Sequence, residues 1–330
     1  MGRVRAFSRP LRGILATLTA AALAASAAGC AGASGASSDD ITIAYQPGIG
    51  YAPLLVVKEQ RTLEKKFPDK KITWRVLNSG AAIRDGMVSR DIQIGAGGIG
   101  PFIVGASNGI PWKIFVALDN ANLQLMSKQA KSLAEIKGAG KIAMPGPDSI
   151  QSVVLRKAAK EQLGDAKVLD SQIVAMGHPD GLQALVSGQI AGHLTAPPFQ
   201  SQAAKEGARP IVSSYDVFGE HTFNSVFTTV DFHEGNADFV KGLQDAVADA
   251  VKLLEQNPDQ AAELLSRESG GKVSAAELKE QITGDDITYS TKPLGFMKFA
   301  QFMKEIGLIK KTPDKPSEYF FDNQYTKGGN

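Results

Sequence analysis

Small residues, hydroxyls and amides cluster where apolar, strand-like runs give way to helical patterns. Five such junctions are present, at residues 46–53, 78–80, 97–101, 148–151 and 195–199. The first turn of a helix offers N–H groups with no intrahelical partner, and small residues let a ligand approach them. Tyr51 and Phe199 add aromatic rings. This composition is typical of a binding site for a small polar molecule.

The junctions contain neither Arg nor Lys. An anionic ligand would therefore be held by N–H groups and helix dipoles. A neutral or heterocyclic ligand fits equally well, with three asparagines as additional hydrogen-bonding groups, and Ser79 and Ser149 fit simple helix caps as well as ligand contacts. The candidate ligand-binding residues are Gln46, Tyr51, Ser79, Gly98, Ile99, Asn120, Asn122, Ser149, Ile150, Gln151, Thr195, Pro197, Phe199 and Asn224.

Motifs that would indicate catalysis are weak. Residues 95–100 satisfy G-x-G-x-x-G, with Asp119 about twenty residues further on, as in dinucleotide-binding folds. Against this, Pro101 follows the last glycine directly, and the Asn-Gly-Ile-Pro run at 108–111 breaks the next helix early. We expect no catalytic residue, no cofactor and no metal site.

The histidines and the cysteine supply no reactive centre either. His178, His193, His221 and His233 lack metal-ligand spacing, which predicts surface histidines or histidines with satisfied hydrogen bonds, and no G-x-S-x-G elbow occurs. Because Cys30 is the only cysteine, an internal disulfide is excluded.

The N-terminal segment has the pattern of an export signal. Four arginines precede an apolar run of about 15 residues, which is shorter than the ~20 that a permanent membrane helix needs. The run Ala27-Ala-Gly-Cys30 resembles the bacterial lipobox, with Ala27 where leucine is usual. We predict a signal peptide at 1–29 and a flexible tether at 30–40 that is lipidated on Cys30. A retained membrane anchor and ordinary secretion are the alternatives.

Charge argues against a nucleic-acid partner. Loss of residues 1–29 would remove four basic residues and no acidic ones, leaving 32 of the 36 basic residues against 34 acidic ones. The remaining chain contains no basic run of the kind that follows a phosphate backbone.

Beyond residue 40, strand-like and helical runs alternate, which predicts an α/β fold with largely parallel sheets. The segment at 87–92 is echoed at 185–190, and a Pro-Phe pair follows each copy. Two lobes of one topology would produce this echo, and so would chance. From residue 236 the pattern is helical, with one apolar face formed by Phe239, Leu243, Val247, Val251 and Leu254.

Several segments together resemble periplasmic solute-binding proteins of the nitrate/taurine/alkanesulfonate and thiamine-precursor class, which serve ABC importers. They are the opening ITIAYQPGIGYAPLL, the loop GAGGIGPF from residue 95, and KSLAEIKG followed by KIAMPGPDS. The resemblance implies a type II periplasmic-binding-protein fold, in which two α/β lobes are joined by two crossover segments, near 119–123 and 222–226. Lobe 1 would comprise 41–121 plus 225–330, and lobe 2 would comprise 122–224.

The resemblance also implies a function. The chain would be a monomeric, lipid-anchored protein outside the cytoplasmic membrane that captures a sulfonate, a nitrate-like anion or a thiamine-type heterocycle by lobe closure. Its partners would be ABC permease and ATPase subunits. The alternative is an exported enzyme or sensor adaptor on the same fold. Relatives that are enzymes of thiamine-pyrimidine synthesis carry a cysteine-rich iron-binding run that this chain lacks.

Overall fold

The computed structural model describes residues 39–330, which form two β-sheets and the helices that cover them. The strands are β1 (Asp40–Tyr45), β2 (Lys71–Val76), β3 (Ile94–Gly98), β4 (Trp112–Ala121), β5 (Gln124–Ser127), β6 (Ile142–Met144), β7 (Ile173–Ala175), β8 (Gly192–Thr195), β9 (Arg209–Ser213), β10 (Thr222–Thr229) and β11 (Ile287–Tyr289). The first sheet has the order β11-β4-β10-β3-β1-β2, and the second has the order β7-β6-β8-β5-β9. The expected α/β fold with two sheets is confirmed.

The helices alternate with these strands and then dominate the C-terminal part of the chain. They are α1 (Ala52–Glu59), α2 (Thr62–Lys66), α3 (Gly80–Val88), α4 (Ile99–Ser107), α5 (Leu133–Ile136), α6 (Ile150–Leu163), α7 (His178–Val186), α8 (Phe199–Lys205), α9 (Ser214–Phe218), α10 (Val230–Gly235), α11 (Ala237–Gln256), α12 (Pro258–Glu268), α13 (Ala275–Ile282) and α14 (Phe296–Glu305). Single 3-10 turns lie at Ile49–Tyr51, Asp170–Gln172 and Pro316–Tyr319.

The expectation of largely parallel sheets is wrong. β10 is antiparallel to β3 and to β4, and β5 is antiparallel to β8 and to β9. A strand that enters a sheet from the other sheet starts at the edge where the neighbouring parallel strands end, so it runs in the opposite direction. The carboxyl ends of β1 and β3, and those of β6 and β8, consequently lie at the edges where the two sheets exchange the chain.

The chain passes between the sheets twice within the described residues. The first passage lies between Ala121 and Gln124, near the expected 119–123. The second lies between Ser213 and Thr222, earlier than the expected 222–226, because that segment is part of β10. β10 is buried between β3 and β4, and its mixed sequence TFNSVFTT lacks the continuous apolar run typical of a central strand. The residue-level division into lobes stays a prediction.

The helical stretch that follows β1 is interrupted. α1 ends at Glu59 and α2 begins at Thr62, because Arg61 adopts a φ of 53°, which an α-helix cannot accommodate. The apolar face predicted for the C-terminal region is the buried face of α11, where all five of its residues are at most 7% exposed. That face packs against the core and leaves a polar face towards solvent.

None of the helices in residues 39–330 combines the length and apolar character needed to cross a bilayer. The predicted signal peptide, Cys30 and most of the predicted tether lie outside the described residues.

Candidate ligand-binding site

A small cavity lies between loops of the first sheet and loops of the second. Its volume is about 20 Å³, and about 10–15 Å³ of such volume is enough for one water molecule. Seven of the candidate residues line it, namely Gln46, Tyr51, Gly98, Ser149, Ile150, Gln151 and Pro197. The same junctions contribute further small or apolar lining residues, including Gly48, Gly50, Gly80, Pro101 and Ala196.

Four helices begin at the cavity wall. Gly80 and His178 are the first residues of α3 and α7, Ile150 is the first residue of α6, and Gly98 is the N-cap of α4. The N–H groups of a first helical turn lack intrahelical partners and carry a partial positive charge. The cavity therefore has hydrogen-bond donors and a favourable electrostatic potential for an anion.

Ser149 shows how one of these helix starts is held. Its hydroxyl accepts a hydrogen bond from Ser152 N at 3.2 Å and donates one to Gly146 O at 2.7 Å. The side chain thus caps the helix at its third N–H group and leaves the N–H groups of Ile150 and Gln151 uncapped. Ser79 caps α3 in the same way, accepting from Ala82 N at 3.2 Å, although Ser79 itself is not among the lining residues.

The cavity has two sides, one formed by loops of the first sheet and the other by loops of the second. The two sides touch at Gly100. A Cβ atom on Gly100 would lie 2.7 Å from Ile150 N and 2.9 Å from Asp148 O, so only glycine lets α4 start this close to the beginning of α6. An ion pair joins the two sides at the same edge. Arg84 Nη1 lies 2.5 Å from Asp148 Oδ2, and the exposed fractions of the two side chains are 20% and 18%. The structure is therefore a closed arrangement of the two sides.

His178 forms part of the cavity wall, which the sequence did not predict. Its Nδ1 lies 2.8 Å from Thr195 Oγ1, its Nε2 lies 3.4 Å from Gln151 Nε2, and its ring stacks on Phe199 with centroids 5.5 Å apart. Burial lowers the pKa of His178 to about 4, so the imidazole is neutral at neutral pH. The sequence does contain a signal for a sixth strand-to-helix junction at this point, because Gly177-His178-Pro179 follows a strand and places proline in the first turn of a helix.

His193 lies behind His178 and departs from the predicted pattern of satisfied histidines. Its ring is fully buried with its centroid 5.8 Å from that of His178, and within residues 39–330 neither ring nitrogen has a hydrogen-bond partner. Burial, and secondarily the neighbouring His178, lowers the pKa of His193 well below its usual value. His221 is satisfied, since its Nε2 lies 2.9 Å from Ser214 Oγ.

A chain of hydrogen bonds runs from the cavity wall into the first sheet. Gln46 Nε2 donates to Tyr51 Oη at 2.9 Å, and Tyr51 Oη donates to Asn224 Oδ1 at 2.9 Å. Asn224 in turn donates from its backbone N to Asp119 Oδ1 at 3.0 Å and from Nδ2 to Asp119 Oδ2 at 3.5 Å. Asp119, considered from the sequence only as part of a nucleotide-binding pattern, is fully buried.

The other candidate residues do not line the cavity. Thr195 and Phe199 contact His178, and Ile99 is buried at the start of α4. Asn120 Nδ2 donates to Glu220 Oε1 at 2.9 Å, and Asn122 Oδ1 accepts from Ser213 Oγ at 2.8 Å. These two asparagines therefore use their amides to fix the passages between the sheets. A ligand contact from any of the fourteen residues stays a prediction.

Charged side chains are absent from the described cavity wall, which contains no Arg, Lys, Asp or Glu. Within residues 39–330, no three His, Cys, Asp or Glu side chains are grouped so that they could hold a metal ion. Polar contacts to a ligand would thus come from backbone N–H groups and from the side chains of Gln46, Tyr51, Ser149, Gln151 and His178.

Comparison with known proteins decides the family, because the sequence profile of the NMT1-like family matches residues 34–267, more than two thirds of the chain. This chain belongs to the NMT1-like family. The family resemblance inferred from the sequence is thereby confirmed.

Two curated relatives of this NMT1-like protein are binding proteins of Escherichia coli (strain K12). The taurine-binding periplasmic protein is 26% identical over 302 residues, covering 85% of this chain and 91% of its own length. A putative aliphatic sulfonates-binding protein is 25% identical over 242 residues, covering 71% of this chain and 73% of its own length.

Solved structures confirm the predicted fold. The periplasmic aliphatic sulphonate binding protein of Escherichia coli superimposes with a TM-score of 0.65 at 20% identity, covering 89% of this chain and 96% of its own. The NMT1-like chain therefore has the periplasmic-binding-protein fold.

Proposed function

We propose that this protein is the extracytoplasmic solute-binding subunit of an ABC importer and that it captures a small solute bearing an oxyanion. One observation carries the proposal. Four helices begin at a cavity whose wall, within residues 39–330, has no charged side chain. Backbone N–H groups at helix starts bind sulfonate- or nitrate-like groups without a counter-ion.

Binding and closure are coupled in this proposal. Ligand contacts from α3 and α4 on one side and from α6 and α7 on the other stabilise the arrangement in which Gly100 touches the start of α6. A solute enters when the two sides separate, and the sides then close around it with more room than the cavity of about 20 Å³ provides. The permease and ATPase subunits then distinguish the closed shape from the open one. The protein itself catalyses no reaction, in line with relatives that are named as binding proteins.

The lining of the cavity favours oxyanions over a thiamine-type heterocycle, because its described wall offers helix starts and few aromatic rings. Backbone donors also match the three oxygens of a sulfonate better than the faces of an aromatic ring.

Export and anchoring complete the proposal. The relatives are named as periplasmic, which supports export of this chain. We infer that the signal at 1–29 is removed and that Cys30 is acylated, so that the protein stays at the outer face of the membrane. Intact mass spectrometry of the protein from membranes tests this, because acylation predicts added acyl mass on a chain that begins at Cys30, and an unmodified Cys30 contradicts it.

A thermal-shift screen on residues 31–330 tests solute binding. The truncated protein retains residues 39–330, which contain both sheets. The screen covers nitrate, short-chain sulfonates and thiamine. A ligand at 100 times its dissociation constant should add about 2.7 kcal/mol to the free energy of unfolding. If none of the oxyanions raises the melting temperature, the proposal is refuted. Turnover of a bound compound would indicate an enzyme instead.

A further inference from the structure

His178 is placed to respond to the charge of a bound solute. It lies in the cavity wall at the first residue of α7, and within residues 39–330 that wall has no Arg, Lys, Asp or Glu side chain. Burial lowers the pKa of His178 to about 4, so the ligand-free imidazole is neutral at neutral pH. The partial positive charge at the start of α7 also disfavours a cation here. An anion in the cavity reverses this balance, because a nearby negative charge favours the protonated imidazole.

The surroundings of His178 can accept both N–H groups of a protonated ring. Its Nδ1 lies 2.8 Å from Thr195 Oγ1, and a hydroxyl oxygen can accept a hydrogen bond. Its Nε2 lies 3.4 Å from Gln151 Nε2, and a half-turn of that amide brings the amide oxygen to the same place. A charged His178 would therefore have an acceptor at each nitrogen.

His193, the neighbouring histidine, lacks such acceptors. It is fully buried with its ring centroid 5.8 Å from that of His178, and within residues 39–330 neither of its nitrogens has a hydrogen-bond partner. A Cβ on Gly181 would lie 2.5 Å from His193 Nε2, so α7 packs directly against this nitrogen. A buried charge without hydrogen-bond partners is unfavourable, so a proton taken up at this place belongs on His178.

The other groups around His178 leave this response intact. Phe199, whose ring stacks on the imidazole, is uncharged. Asp180 lies on α7 itself and is exposed, so solvent screens its charge. Asp148 precedes the start of α6 and is paired with Arg84, so the two charges offset each other.

Asp119 is the competing site for a proton. Burial raises its pKa well above the usual value, and its hydrogen bonds from Asn224 connect it through Tyr51 to the cavity wall. The experiment must therefore separate a proton on Asp119 from one on His178.

We propose that capture of an oxyanion is coupled to the uptake of one proton by His178, so that an imidazolium holds the solute together with the helix starts. The inference rests on the proposed function and deepens it by naming a regulation of the same site. The coupling is reciprocal, because an anion that favours the proton is favoured by the proton to the same extent. The affinity should therefore rise by about fivefold or more as the pH falls from 7.5 to 5.

Calorimetry on residues 31–330 with nitrate and with ethanesulfonate tests the inference. Both anions stay ionised over this pH range, so any proton taken up on binding goes to the protein. Titrations at pH 5 in two buffers of different ionisation enthalpy should show uptake of more than about half a proton per bound anion, and titrations at pH 7.5 should show almost none.

Variants locate the proton. His178→Asn should abolish the uptake and the pH dependence of the affinity. Thr195→Val should reduce both, because it removes the acceptor at Nδ1 and keeps the histidine. His233→Asn is the control, since His233 is stacked on Phe321 and does not line the cavity, and it should take up the proton as the unmodified protein does.

The outcomes distinguish the two proposals. An anion that binds at pH 5 without proton uptake overturns the role of His178 and leaves the proposed function intact. Uptake that persists unchanged in His178→Asn also overturns it and assigns the proton to another group such as Asp119. If His178→Asn no longer binds, NMR titration of the imidazoles in the unmodified protein decides, because the pKa of His178 must be higher with the anion than without it. If no oxyanion of the thermal-shift screen binds, the proposed function fails and the inference fails with it.

Discussion

At the scale of single residues, the buried histidines make the stability of the folded protein depend on pH. His178 and His221 each have a pKa lowered by burial to about 4, against an ordinary value of 6.5. Between these two values the unfolded chain binds protons that the folded protein does not bind. The free energy of unfolding therefore falls as the pH falls from 6.5 towards 4.

We expect His178→Asn to flatten this dependence. One such histidine contributes a slope of at most about 1.4 kcal/mol per pH unit, and the variant should lose much of that slope between pH 6 and pH 4.5. Asp119 acts in the opposite direction because its pKa is raised, but its contribution is common to both proteins and cancels in the comparison.

Urea unfolding at a series of pH values provides the measurement. His233→Asn is the control, because His233 is half-buried against Phe321 and should change the slope less. An identical slope for the unmodified protein and His178→Asn would show that His178 is not held neutral in the folded state.

At the scale of elements, the helix starts were the most predictable part of the site. Ser79 and Ser149 mark their helices as N-caps, and α6 begins directly after Ser149. Capping is a local property, so one sequence is enough to locate it. The cavity is lined by Gln46, Gly98 and Gln151 because the junctions that contain these residues follow the carboxyl ends of strands.

Features that depend on distant partners were not predictable in the same way. Phe223 lines the cavity but was not a candidate. It belongs to β10, whose place between β3 and β4 is set by pairing with strands more than 100 residues away in the chain. The roles of Asp119 and Tyr51 likewise arise from a contact with Asn224 that no local pattern encodes. Hydrogen bonds of this kind are visible only once the sheet is assembled.

At the scale of the whole molecule, the proposed capture requires two sides that separate and then close around a solute. Gly100 offers a way to block closure without touching the ligand's polar contacts. In Gly100→Ala, the new Cβ would lie 2.7 Å from Ile150 N in the closed arrangement. A methyl group at this helical position is otherwise well tolerated in an open arrangement.

Gly100→Ala should therefore weaken solute binding by about tenfold or more, measured with a solute that stabilises the unmodified protein in the thermal-shift screen. The free energy of unfolding without ligand should change little. Gly284→Ala is a matched control, because its Cβ would meet its nearest neighbour at an ordinary 3.5 Å. Calorimetry on the two variants makes the comparison, and undiminished affinity in Gly100→Ala would show that this contact is not needed for capture.

Small-angle X-ray scattering of the unmodified protein, with and without a solute that binds, tests closure most directly. We predict a larger radius of gyration for the ligand-free protein, and for the bound protein a radius that matches the closed arrangement with Arg84 paired to Asp148. The same radius of gyration in both states would contradict capture by closure.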